Sequence, residues 1–218
     1  MTTKELTSNC YDCVLFLVEQ GFADDQNLPF MQAGGDVDRV TYATSQYLNL
    51  SLKNIPYEEL YSVFDKERVF TARMLDGALL QLDYEISGNR IVRHRLAYLP
   101  SPFLRQYAED RECYEEDQMF AEVVSHRVVP VALRFDVDAR AADLQGHPHS
   151  ESHLTLGQYE HCRIPVSSPL TPSQFCQFVL TSFYWPAYKD KPPLPSPKAT
   201  LADCLANNDL ARIHIKVP

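Results

Sequence analysis

Glycine is scarce. The 218 residues hold only seven, and none falls in a G-x-G-x-x-G or G-x-x-x-x-G-K-[ST] run. The chain therefore lacks the backbone loops that cradle a dinucleotide or a nucleoside triphosphate at a helix N-terminus. Alternating β-α-β units are missing too, which argues against a doubly wound nucleotide-binding fold. No apolar run approaches the ~20 residues that span a bilayer. The opening MTTKELTSNC has no charged-then-apolar leader. The expectation is a cytoplasmic protein with no membrane partner. Basic charge is also in short supply, with 20 Lys and Arg against 29 Asp and Glu, a net charge of −9. Non-specific nucleic-acid binding needs a basic face for counterion release. Any contact with RNA must come through one local basic cluster.

Cysteine pairs are likewise few. Cys10-Tyr-Asp-Cys13 has the C-x-x-C form, but no second C-x-x-C follows it. Leu6, Cys10, Cys13, Val14 and Leu17 share one helical stripe, so these thiols read as small apolar fillers of a core. Apolar residues make up 45% of the chain and charged residues 22%, as in ordinary globular proteins. The chain is long enough for a full core and is expected to form a single domain over 1–218. A proline-rich connector over 185–197 would lead to a short C-terminal helix and strand.

What is present favours a sheet. Prolines number 15, and Tyr and Phe are plentiful. A first helix is predicted over 4–20, stopped by Gly21. The stretch ADDQNLPFMQAGGDVD reads as a loop, RVTYAT as a strand and IPYEELYSVFDKE as a helix. A meander follows, with RVFTARML, ALLQLDYEI and RIVRHRLAYL joined at Asp76-Gly77 and Gly88-Asn89, which suit tight turns. A two-residue turn at Gly88-Asn89 would set Asp83 opposite His94 and Tyr84 opposite Arg93. The acidic stretch AEDRECYEEDQMFAEVVS reads as a solvated helix. VVPVALRFDVD, SHLTLG and CRIPV are predicted strands. Thr171 caps a helix starting at Pro172, ATLADCLANN reads as a short helix, and ARIHIKVP as a terminal strand. The fold class expected is α+β: a curved antiparallel sheet with helices packed on one face.

Chemistry gathers in the second half. Residues 146–166, GHPHSESHLTLGQYEHCRIPV, hold four of the seven histidines. Side chains alternate across a strand. In VVPVALRFDVD, Val129, Val131, Leu133, Phe135 and Val137 face inward, which leaves Arg134, Asp136 and Asp138 on the other face. The same rule puts His153, Thr155 and Arg163 outward. If these strands are neighbours, Arg134, Asp136, His153, Thr155 and Arg163 share one polar face, bordered by His147 and His149. Histidine exchanges protons near neutral pH. Arginine presents a donor fork that fits phosphate, and a carboxylate beside a histidine orients it. The set suits metal-free cleavage of a phosphodiester, most simply in RNA, where the 2′-hydroxyl is a built-in nucleophile. His147, His153 and Asp136 would be catalytic, with Arg134, Arg163 and Thr155 on phosphate and no cofactor. A second reading makes His147, His149 and His153 ligands for zinc or manganese. A third makes the face a structural ion network or a protein interface. In that case the chain is a non-catalytic subunit, docking through the acidic helix over 109–122 and the connector.

The segments DGALLQLDYEI, RHRLAYLPSPF, LRFDVD, HPHSESHLTLGQYEHCRIPVSSPLTP and FCQFVLTSFY resemble an uncharacterised bacterial family known only as a domain of unknown function. That resemblance implies a bacterial protein from a mobile or defence-associated locus, with a protein partner from the same locus. A looser likeness joins Arg134-Phe135-Asp136 and His147, His149 and His153 to small toxins of toxin–antitoxin pairs. The loop ARAADLQG and the "SE" before His153 depart from that pattern.

Overall fold

The computed structural model describes residues 1–42, 55–103, 120–121, 131–139, 150–159, 161–197 and 201–218. The elements in chain order are α1 (Thr3–Glu19), β1 (Ala23–Gln26), β2 (Phe30–Gln32), β3 (Asp38–Thr41), α2 (Tyr57–Lys66), β4 (Ala72–Met74), β5 (Leu79–Ser87) and β6 (Arg90–Leu99). They continue with β7 (Leu133–Asp138), β8 (Ser152–Leu156), β9 (Ile164–Pro165), α3 (Pro172–Phe183), α4 (Trp185–Tyr188) and α5 (Asn207–Leu210). The strands form one antiparallel sheet in the order β1-β4-β5-β6-β7-β8-β9. β3 also lies against β5, and β2 lies outside β3. The α+β class is borne out.

Local chemistry explains the element ends. Thr2 and Glu5 close a capping box on α1, and Thr171 with Gln174 closes one on α3, whose first residue is Pro172. Gly21 leaves α1 with φ +75°, and Gly77 and Gly88 turn the meander at φ +84° and +61°. Those angles cost a glycine little and a Cβ-bearing residue much.

The core uses one sheet face in full. Leu80, Leu82 and Tyr84 of β5, Leu96 and Tyr98 of β6, Phe135 of β7 and Leu154 of β8 pack with α1 and α3. From the helices come Leu6, Cys10, Cys13 and Leu17, then Phe175, Cys176, Val179 and Leu180. The C-x-x-C cysteines are thus core fillers, both fully buried and both free thiols. α4 adds Ala187 and Tyr188 to the same cluster. On the opposite face α2 covers one end, where Leu60, Tyr61 and Phe64 meet Leu79, Ala97, Leu99, Phe70 and Tyr42. The rest of that face is polar.

Several boundaries differ from the sequence reading. The stretch expected to be a loop contains β1 and β2, which are edge strands of three or four residues. They are too short for alternation to show. CRIPV contributes only Ile164 and Pro165 to a ladder, because proline cannot donate to a further strand. Residues 201–206 are not helical, and the short helix begins at Asn207. ARIHIKVP supplies a single parallel bridge, Ile215 to Val166. Val131, expected inside, is exposed. The acidic stretch over 109–122 lies outside the described residues, apart from 120 and 121. Among the described residues no helix is long and apolar enough to cross a membrane.

The largest difference is register. Glu85 pairs with Arg93 but Ile86 with Ile91, so Val92 is an extra residue in β6. Beyond it Asp83 faces Arg95 and Tyr84 faces His94, one position from the pairing expected of a regular hairpin. His94 therefore enters the core beside Tyr84, with ring centroids 5.5 Å apart. Its Nε2 accepts from the Leu170 N–H at 3.2 Å, so its Nδ1–H donates to the Phe135 carbonyl, also at 3.2 Å. This neutral ring ties β6 to β7 and to the approach to α3. Burial pushes its pKa down from 6.5 to about 4.

A pH dependence follows. In the unfolded chain His94 takes a proton as the pH falls below its ordinary value, while in the folded chain it resists until about 4. The stabilisation is complete above pH 6.5, declines as the pH drops toward 4, and levels off below that. Its size is about 3 kcal/mol. Urea unfolding at pH 7.5 and 4.5 should show that loss in the wild type. A His94→Gln variant should be less stable at pH 7.5 and show a flatter profile.

Candidate functional site

Pleating places the polar side chains as the sequence predicts. Phe135 and Val137 are buried in the core, and Arg134, Asp136 and Asp138 occupy the other face of β7. On β8, Asp136 pairs with His153 and Arg134 with Thr155. On β6, Asp136 pairs with Arg95 and Arg134 with Ala97. Residues directly opposite on antiparallel strands share a face, so His153, Asp136, Arg95 and, on β5, Asp83 form a row across four strands.

Asp136 is the hub of that row. Arg134 Nε donates to its Oδ2. Arg95 Nε stands 3.5 Å from Oδ1, and His153 Nε2 stands 4.0 Å from Oδ2. Burial pushes the Asp136 carboxyl up, but Arg134 and Arg95 outweigh it and hold the pKa below the ordinary aspartate value. Burial lowers the Arg95 pKa, with Asp136 opposing the change. His153 is 5% exposed. Its Nδ1 lies 3.2 Å from the Ser150 carbonyl, which can only accept. In the neutral ring Nδ1 therefore carries the proton and Nε2, on the Asp136 side, keeps a lone pair. Ser150 is itself held by its hydroxyl on Asp209.

Beyond Arg95 the row continues. Arg39 forks onto Asp83, with Nε to Oδ1 and NH2 to Oδ2 both at 2.9 Å. Arg93 bonds Glu85 at 3.0 Å. The central row thus sets three guanidiniums, Arg39, Arg95 and Arg134, against two carboxylates, Asp83 and Asp136. Among the described residues of β3, β5, β6 and β7, adding Arg93, Glu85 and Asp138 brings this part of the face to neutrality, so the positive excess lies at the centre.

Of the site residues expected from sequence, the structure brings together Arg134, Asp136, His153 and Thr155, the last buried opposite Arg134. Arg163 is not brought in. It precedes the two-residue β9, its carbonyl accepts from Arg212, and its guanidinium has no polar partner among the described residues. His147 and His149 lie outside the described residues. Sequence reasoning missed Arg95, because a hairpin without the Val92 bulge turns it inward. It missed Arg39 because β3 carries no pattern beyond its own four residues. Among the described residues no three His, Cys, Asp or Glu side chains cluster closely enough to hold a metal ion. The alternative triad of His147, His149 and His153 has two members outside those residues.

A family model described as an uncharacterized conserved protein, DUF2290, matches residues 22–217. The chain belongs to this family. The match begins just after α1 and takes in the whole sheet, the Asp136 row included. No curated protein and no solved structure matches the chain. The family description carries no activity, so the reading of the DUF2290 site rests on its chemistry.

The hub has a measurable consequence. Removing Asp136 leaves Arg134 and Arg95 with uncompensated charge in a buried place. Asp136→Ala should cost about 3–5 kcal/mol of stability, read by urea unfolding at pH 7. The wild-type contribution of Asp136 is present above its ordinary pKa of 3.8 and lost as the pH falls through the lower folded value. The Ala variant should therefore differ least from wild type in acid.

Proposed function

We propose that the DUF2290 chain binds phosphate esters, RNA first among them, on the polar sheet face centred on Asp136, and that it cleaves the RNA backbone without a metal. One observation carries this reading: a buried histidine, its Nδ1 3.2 Å from the Ser150 carbonyl and its Nε2 4.0 Å from Asp136, flanks the same carboxylate as two arginines. In the proposed reaction His153 Nε2 takes the proton of the 2′-hydroxyl, whose oxygen attacks phosphorus. Arg134 and Arg95 neutralise the non-bridging oxygens as negative charge builds on them. Asp136 steadies the imidazolium. The bond from phosphorus to the 5′ oxygen breaks, and that oxygen takes a proton from a general acid, for which His147, the second proton-handling histidine expected from the sequence, is the proposed residue. A cyclic phosphate and a 5′-hydroxyl result. The bacterial, defence-locus setting implied by the family resemblance and the cytoplasmic location expected from the sequence belong to the same proposal.

A second reading, a non-catalytic subunit that binds a protein partner, is favoured by strand β2. It sits at a sheet edge and exposes Phe30 and Met31, with Leu28 exposed just before it. Exposed apolar edges of this kind are pairing surfaces. Arg163, left outside the central row, is not needed by either reading.

The experiment is a cleavage assay on end-labelled single-stranded RNA, with and without chelator. Wild type should cleave in both, leaving cyclic-phosphate ends. His153→Ala should lose about 10²–10⁴-fold in rate, while circular dichroism and thermal melting show it folded. His153→Gln serves as a second variant should the alanine destabilise. Activity abolished by chelator would favour the metal alternative. A stable stoichiometric partner from the native host, with no hydrolysis of RNA by the pair, would favour the second reading.

A further inference from the structure

At the bend after β3 the chain swings Tyr42 over the polar face, where its ring joins the cluster under α2. The residue is 5% exposed, and its hydroxyl has no hydrogen-bond partner among the described residues. Buried hydroxyls are nearly always satisfied, and an unmet one lowers stability. A phenylalanine would fill the same space without that cost.

The neighbours explain why the protein itself leaves the hydroxyl unmet. Asp83, Arg95 and Arg39 lie close enough to act on the phenol electrostatically. Both Asp83 oxygens face the Arg39 fork at 2.9 Å, and neither comes within hydrogen-bond reach of the phenol. Arginine donates and never accepts. Among the described residues around Tyr42, donors converge and no acceptor comes within hydrogen-bond reach of the phenol. The group that completes such a place is rich in acceptors and negatively charged, and a phosphate is both. Arg95 links Tyr42 to the Asp136 hub, since it faces Asp83 on one side and Asp136 on the other.

We propose that the Tyr42 hydroxyl is a further phosphate-binding donor of this site, bonding together with Arg95 to a non-bridging oxygen of the bound ester. The inference rests on the phosphate-ester reading above and adds to it a residue that no motif marks. It also extends the phosphate-binding part of the row from the Asp136 hub through Arg95 toward Arg39.

Tyr42→Phe removes only the oxygen. Binding is measured by titration calorimetry at fixed salt, with inorganic phosphate and with a single-stranded 2′-O-methyl RNA, which cannot be cleaved through its 2′ position. Wild type should bind the RNA. Tyr42→Phe should bind it about tenfold more weakly, the loss of one hydrogen bond to a charged group, and should melt at the same or a higher temperature. Full RNA affinity in Tyr42→Phe, with wild type binding, overturns this inference and leaves the proposed function standing. A lower melting temperature with unchanged affinity also overturns it, by making the hydroxyl structural. Loss of phosphate binding alone, with RNA unaffected, redirects the site to free phosphate and overturns the RNA assignment. No binding of either probe by wild type sinks both proposals.

Discussion

The β5–β6 ladder carries one residue too many on the β6 side, and the arrangement of both sheet faces depends on that Val92 bulge. Side-chain direction in a strand has a period of two, so a one-residue slip exchanges the faces of everything beyond it. With the bulge, His94 points into the core and Arg95 points to the polar face. Without it, a guanidinium would press against α1 and α3, and an imidazole would sit beside Asp83. The core gains a neutral ring with both nitrogens bonded, to Leu170 and Phe135. The polar face gains the arginine that joins Asp83 to Asp136.

The polar row is held by mutual compensation. Charged groups this far from water lose much of their hydration, and each is tolerable only beside its opposite. Asp136 answers Arg134 and Arg95, and Asp83 answers Arg39. The row is therefore a rigid set of charges, with its one positive excess at the centre. Rigidity of this kind lets a site meet developing negative charge without reorganising. The same rigidity suits a structural network, which is why function has to be tested by chemistry at His153 and Tyr42 rather than by stability alone.

Local signals were legible to the extent that they depend on neighbours in sequence. Thr171 and Pro172 announce the start of α3, Gly21 ends α1, and the hydrophobic alternation of Phe135 and Val137 places Arg134 and Asp136 on one face. The pairing of β7 with β8, which brings His153 to Asp136, follows from their succession. The edge strands β1 and β2 were not legible, because three or four residues show no period and edges tolerate charge. Arg39 and Tyr42 were silent for a related reason. Their roles arise from side chains outside their own segments, Asp83 for the first and the α2 cluster for the second.

The amino-acid sequence by itself determined the α+β class, the sheet faces of β7 and β8, and membership of the polar set by Arg134, Asp136, His153 and Thr155. Each follows from steric rules that act over a few residues. Tertiary structure alone decided that Arg95, and not His94, completes the row, that Arg163 makes no side-chain bond to it, and that a phenol hangs over it with no hydrogen-bond partner among the described residues. Those outcomes turn on a single inserted residue in a ladder and on which distant strands close around it. Neither quantity is written in any short stretch of the chain.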